Sequence, residues 1–241
     1  MFKRILTTAS YTGALAALLL TLMQSLWITP LILQAEVYET AQAPQVQSHE
    51  HAAGAHEHEH DAEVWTPEDG WQRTLSTFGG DLVVAIGFAL LLSGLYNLKA
   101  PAKPWHGVLW GLAGYATFCL APAAGLPPQL PGTMAAELSS RQDWWGATAL
   151  ATAVGLALMV FGKHWLWRVA AVLLIAAPHV VGAPQPAEHH ALAPDELQAQ
   201  FRVASLLVNA GFWMASGALS GWWFWRQESV RDELSARTLV R

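Results

Sequence analysis

Residues 75–98, L-S-T-F-G-G-D-L-V-V-A-I-G-F-A-L-L-L-S-G-L-Y-N-L, decide the fold. A helix needs roughly 20 predominantly apolar residues to cross the hydrocarbon of a bilayer, and the run from Leu75 to Leu98 is that long with Asp81 as its one charge. It predicts a transmembrane helix with Asp81 about one turn inside its start. A carboxylate at that depth must find water, a cation or a neighbouring donor. Asp81 therefore reads either as a pathway residue or as a helix-start cap.

Five more apolar runs flank this one. Ile5 to Ile28 follows Met1-Phe-Lys-Arg and exceeds the roughly 7–15 apolar residues of a signal peptide, so it reads as a retained first span ending near Pro30. Trp105 to Ala124 is a third span, stopped at 125–132 (G-L-P-P-Q-L-P-G), because prolines cannot donate to a helical ladder. Trp144 to Gly162 is a fourth, Trp165 to Val181 a shorter fifth, and Phe201 to Trp225 a sixth. Only 13% of residues are charged, against about 25% in a soluble domain. The expected fold is an all-α integral membrane protein of about six transmembrane helices, residues 1–241 making a single membrane domain. Cys119 is the only cysteine, which excludes an intramolecular disulfide or a thiolate metal cluster.

Orientation follows from the cations, since cytoplasmic loops carry the Lys/Arg excess. With the N-terminus inside, six crossings put Lys3, Arg4, Lys99, Lys103, Lys163, Arg168, Arg226, Arg231, Arg237 and Arg241 on the inner side, ten of thirteen basic residues. Arg73, Arg141 and Arg202 remain outside, with fifteen of the eighteen acids. The reading is N-in and C-in, with residues 30–74 an extracytoplasmic loop and 226–241 a cytoplasmic tail. Trp27, Trp71, Trp144 and Trp145 then mark outer helix ends, and Trp105, Trp165, Trp167, Trp222, Trp223 and Trp225 inner ones, as interfacial anchors do.

The outer loop holds the strongest chemical signal. Residues 48–63 read S-H-E-H-A-A-G-A-H-E-H-E-H-D-A-E, with His49, His51, His56, His58 and His60 interleaved with carboxylates and no lysine or arginine. Imidazole is the commonest protein ligand for borderline divalent metals, and adjacent acids raise affinity for any cation. A disordered tract of this kind can fill several coordination positions without a preformed cage. The pattern specifies a divalent transition metal without choosing one, and a merely solvated loop is the alternative. Glu36 and Glu39 lie three apart just outside the first span, as further ligands or as solvated acids. His179 follows Pro178 at the outer end of the fifth span, with His189 beyond it. It reads as a ligand or as a hydrogen-bond partner of another helix.

Within the sixth span Ser205, Asn209, Ser216 and Ser220 form one polar stripe, interrupted by Phe212, with Gln24 of the first span a plausible partner. Such stripes glue helices together or line a path. Residues 217–221 (G-A-L-S-G) and 111–114 (G-L-A-G) favour close helix packing. The absence of G-x-x-x-x-G-K-[ST], H-E-x-x-H and G-x-S-x-G motifs excludes Walker-type nucleotide binding and the corresponding hydrolases. No basic aromatic patch suits nucleic acid, and no enzyme activity or resident cofactor is expected.

Along nearly its whole length the chain resembles the CbtA-type family of probable cobalt transporter subunits. The resemblance is carried by 22–39 (L-M-Q-S-L-W-I-T-P-L-I-L-Q-A-E-V-Y-E), the His/Glu tract, 70–74 (G-W-Q-R-T) and 112–122 (L-A-G-Y-A-T-F-C-L-A-P). It continues through 126–132, 141–145 (R-Q-D-W-W), Pro178-His179 with 182–186 (G-A-P-Q-P), and the sixth span. It implies a multi-pass bacterial inner-membrane subunit for cobalt uptake linked to cobalamin synthesis, with about five spans rather than six. It also implies a small single-span partner, CbtB-like, with histidines of its own. The functional expectation is a divalent metal uptake subunit. The tract collects Co2+ (Ni2+ and Zn2+ fit the same chemistry) and passes it through Glu36, Glu39, Asp81 and His179. The rival expectation is an extracytoplasmic metal sensor or scaffold without a pore. A divalent cation moving inward gains about 4.6 kcal/mol per 100 mV, so the chain would need no ATPase of its own.

Overall fold

The computed structural model describes residues 2–46, 67–101 and 103–239, and these are helical with short connections. In order they form α1 (Phe2–Met23), a π-turn (Gln24–Ile28), α2 (Thr29–Val46), α3 (Trp71–Tyr96) and α4 (His106–Tyr115). A second π-turn (Ala116–Leu120), α5 (Ala121–Ala123), α6 (Leu138–Phe161), α7 (Trp165–Val181) and α8 (Asp195–Leu239) complete the chain. Each run read as a span is helical. Four helices are long and apolar enough to cross a membrane by length and composition, and α7 is a shorter apolar helix. The run from His106 to Ala123 is helical too, carried through its second π-turn.

The first span does not stop at Pro30. Helix continues through the proline to Val46, so the first part of the expected outer loop is helical. Proline removes one backbone donor and crowds the preceding turn; here the turn before it is widened, with the Thr29 amide bonding to the Gln24 carbonyl. The same device recurs before Pro122, where the Ala121 amide bonds to the Ala116 carbonyl. Both π-turns end two residues before a proline, which lets the ring pass without ending the helix. The apolar stretch Phe2–Ala41 has 40 residues, about 60 Å of helix, twice a hydrocarbon core. Likewise α8 runs on past Trp225, and residues 226–239 of the expected tail are helical.

Helices pack in three pairs, α1 on α3, α4 on α8 and α6 on α7, with α8 also crossing α1. Lipid tails are as apolar as leucine, so such pairs hold by close contact rather than by escape from water. Small residues permit it. Ala9, Thr12, Ala16 and Ala17 on α1 are buried, as are Ala85 and Ala89 on α3. A Cβ on Gly13 would lie 2.8 Å from the Ile86 Cα. Between α4 and α8 the backbones touch: a Cβ on Gly221 would sit 2.6 Å from the Gly107 Cα, and one on Gly111 would collide with the Trp213 carbonyl. Gly217 thus faces Gly107 and Gly111, and Gly221 faces Gly107, whereas Gly114 makes room for the Trp213 ring.

The main core gathers Leu20, Leu92, Tyr96, Phe212, Trp213 and Phe224. A second cluster, Ala35, Leu130, Ala193, Leu197 and Phe201, closes the end away from the N-terminus. There the two connections 126–137 and 183–194 join through an isolated bridge, Thr133 to Ala191. The buried Gln198 side chain ties the first of these to α8, accepting from the Leu130 amide at 3.2 Å and donating to Thr133 Oγ1 at 2.7 Å. Glu137 precedes α6 and accepts from the Ser139 and Ser140 hydroxyls, which hold its carboxyl below the usual range. Of the tryptophans read as anchors, Trp144 is a correction. It is buried, donating Nε1–H to the Pro178 carbonyl at 3.1 Å, because the indole fills the α6–α7 contact.

Candidate functional site

Asp81 lies ten residues into α3, about 15 Å from its start. It is therefore deeper than one turn, too deep to cap the helix, and only 9% exposed. Two side chains of the first helix hold its carboxylate. Thr21 Oγ1 donates to Oδ2 at 2.7 Å, and Gln24 Nε2 donates to Oδ1 at 3.2 Å. Thr21 and Gln24 are three apart, hence on one helix face, and Gln24 opens the π-turn that Pro30 requires. Gln24, expected against the polar stripe of the last helix, is thus on Asp81 instead. Thr21 escaped the sequence reading; its spacing to Gln24 was the available signal.

Chemically, the arrangement offers two carboxylate oxygens, a hydroxyl oxygen and an amide that can turn its carbonyl inward. All are hard oxygen donors, suited to brief occupancy by a cation rather than to tight capture. A single carboxylate offsets half the charge of a divalent ion.

The other expected ligands stand elsewhere. Glu36 lies on α2 and is paired with Arg73, 2.6 Å from its Nη2. It is twelve residues beyond Gln24, about 18 Å along the rod. Glu39 lies against the 126–137 connection, its Oε1 3.1 Å from where a Cβ on Gly132 would be. His179 is exposed, its ring edge-on to Trp144 at 5.7 Å, and His189 is exposed in the 183–194 connection. Among the described residues no three His, Cys, Asp or Glu side chains converge as metal ligands. His49, His51, His56, His58 and His60 lie outside the described residues.

Toward the end of the bundle that carries the N-terminus, polar groups reappear on the same helices. The Tyr96 and Ser220 hydroxyls are 2.9 Å apart. Ser93 and Ser216 are fully buried, and neither Oγ has a hydrogen-bond partner. Of the α8 stripe, Ser205, Ser216 and Ser220 are buried and Asn209 half-buried, with Phe212 buried among them. Asp81 and Ser93 are twelve residues apart, about 18 Å, with Ala85, Ala89, Phe88 and Leu92 between them. Beyond Tyr96 lies a cavity of about 520 Å³ lined by Lys3, Arg4, Asn97, Gln227 and Glu228. Arg4 crosses its inner wall, donating to the Phe224 carbonyl at 2.7 Å, lying 3.6 Å over the Phe224 ring and 3.8 Å from Glu228. Polar groups thus flank an apolar septum along one seam of α1, α3 and α8.

A helical bundle with apolar outer faces and four helices long and apolar enough to cross a bilayer defines a multi-pass membrane protein. The chain belongs to the family described as probable cobalt transporter subunit (CbtA), whose model matches residues 2–225, nearly all of it. It is accordingly a subunit in a family of transporters rather than of enzymes, and partner subunits are implied by that description. Searches of curated proteins and of solved structures return no significant match.

Proposed function

We propose that this chain carries Co2+ inward across the bacterial inner membrane, with its N- and C-termini in the cytoplasm. The carrying observation is the Asp81 carboxylate, held by Thr21 and Gln24 between two helices whose surroundings are apolar. Ionisable groups at membrane depth are costly and mark solute pathways. The His/Glu tract, with imidazole donors that bind borderline metals firmly, collects the ion. The oxygen-only site at Asp81 binds it more weakly, and that order allows release onward. From there the ion crosses the septum to Ser93, Ser216, Ser220 and Tyr96 and leaves by the Arg4 cavity. Glu36, Glu39, His179 and His189 stand along the approach, with Glu36 exchanging Arg73 for the cation. Ni2+ and Zn2+ fit the same donors, and a small single-span subunit with its own histidines completes the assembly.

The test is Co2+ entry into proteoliposomes containing the chain, with and without such a partner, under an inside-negative potential. Accumulation above the bound amount, reduced by Ni2+ or Zn2+ in competition, is expected. Deleting residues 49–60 should lower entry at low metal and leave the saturated rate intact. Vesicles that bind Co2+ and never accumulate it would point to an extracytoplasmic sensor or scaffold instead.

A further inference from the structure

The hairpin of α6 and α7 opens, at the end of the bundle that carries the N-terminus, into a trough of about 540 Å³. Its floor is apolar, built from Val154, Leu158 and Phe161 of α6 and closed by Trp167 of α7, and Lys163 stands at its lip. Gly162 makes the close turn possible: a Cβ there would lie 2.6 Å from the Trp167 Cβ. A second cation arrives from a different connection, Lys99 Nζ resting 4.7 Å from the Phe161 ring centroid. Neither connection supplies an opposing charge, for residues 97–110 and 144–187 contain no Asp or Glu.

Apolar walls as deep as the last turns of α6 would shelter a hydrocarbon chain, and a free inorganic anion would gain nothing from them. Lysines at helix ends place their ammonium groups at headgroup depth. Basic pockets between helices at the cytoplasmic face suit anionic headgroups. The exposed Trp165 and Trp167 fix the same depth.

We propose that this trough binds one anionic phospholipid, an acyl chain lying along Val154 and Leu158 and the phosphate held by Lys99 and Lys163. The inference rests on the trough and its two cations and is independent of what the bundle transports.

It is tested on the full chain in neutral detergent by native mass spectrometry, offering phosphatidylglycerol and phosphatidylcholine of equal chain length. Phosphatidylglycerol should be retained about thirtyfold better, since two interfacial lysines each contribute on the order of 1 kcal/mol toward anionic lipid. The double variant K99Q/K163Q should lose that preference, K163Q alone should lose part of it, and K3Q, which lines the other cavity, should keep it. Unchanged helicity by circular dichroism establishes that each variant is folded. Because Lys163 is exposed, K163Q alone is decisive should the double variant fail to fold. Val154→Trp, which fills the trough, should reduce retention of both lipids. Equal retention of the two lipids, or a preference that survives K99Q/K163Q, would overturn the proposal. So would displacement of bound lipid by glycerol 3-phosphate alone, which would mark a free-phosphate site.

Discussion

Along α1, α3 and α8 the buried faces alternate tight small-residue contacts with polar groups, whereas α7 buries a single alanine and turns nearly every other side chain outward. Helices of the first kind have two or more packed neighbours; α7 leans chiefly on α6. The buried carboxylate occurs in the first region, and no ionisable side chain is buried in the α6–α7 hairpin. In a bilayer, where apolar surface needs no hiding, burial is maintained by shape and by polar satisfaction. The contrast therefore separates the part of the molecule built around its own interior from the part whose apolar side chains mostly face outward.

The largest expected effect comes from separating the tight pair. Gly111→Leu drives a side chain into the Trp213 carbonyl and should cost on the order of 3 kcal/mol, read as a lower unfolding midpoint in micelles. Gly146→Leu in α6, where a Cβ meets nothing within 4 Å, should stay within about 1 kcal/mol of the native chain. If the two glycines respond alike, the contrast between the regions fails.

An intermediate effect sharpens the reading of Asp81. Thr21→Val removes the 2.7 Å donor from a buried carboxylate, an expected loss of about 2 kcal/mol. In the double variant with Asp81→Asn much of that loss should disappear, because the two groups are directly coupled. Additive losses would show that Thr21 supports the helix in some other way.

The smallest effect belongs to the far end. Glu36→Gln breaks a pair with Arg73 in which both side chains are about a third exposed, and solvent screening leaves about 1 kcal/mol or less in such a pair. A loss of several times that would mean the pair clamps α2 onto α3.

Much of this was legible in the sequence because membrane helices advertise themselves by length and apolarity. All six runs are helical, the glycine segments do pack closely, and the polar stripe of α8 followed from periodicity. What stayed hidden depended on contacts between distant residues. Nothing local says that Pro30 can be carried through; that needs a π-turn, whose donors and acceptors are reassigned only in three dimensions. Asp81 was visible as a costly acid, yet its partners lie some sixty positions earlier. Trp144 has an anchor's position and a core residue's role, because Pro178 offers a carbonyl only where α7 meets α6. The bridge between the two far connections, and the tie from Gln198 on α8 to the first of them, likewise left no local signal.

The central claim is that the cation passes the Asp81 carboxylate. It is tested most directly by the initial rate of Co2+ entry into proteoliposomes at saturating metal and fixed membrane potential, comparing Asp81→Asn with the native chain at equal protein. Loss of one charge-assisted interaction predicts a fall of about tenfold or more, with Co2+ binding to the outer tract retained. An unchanged saturated rate would contradict the account.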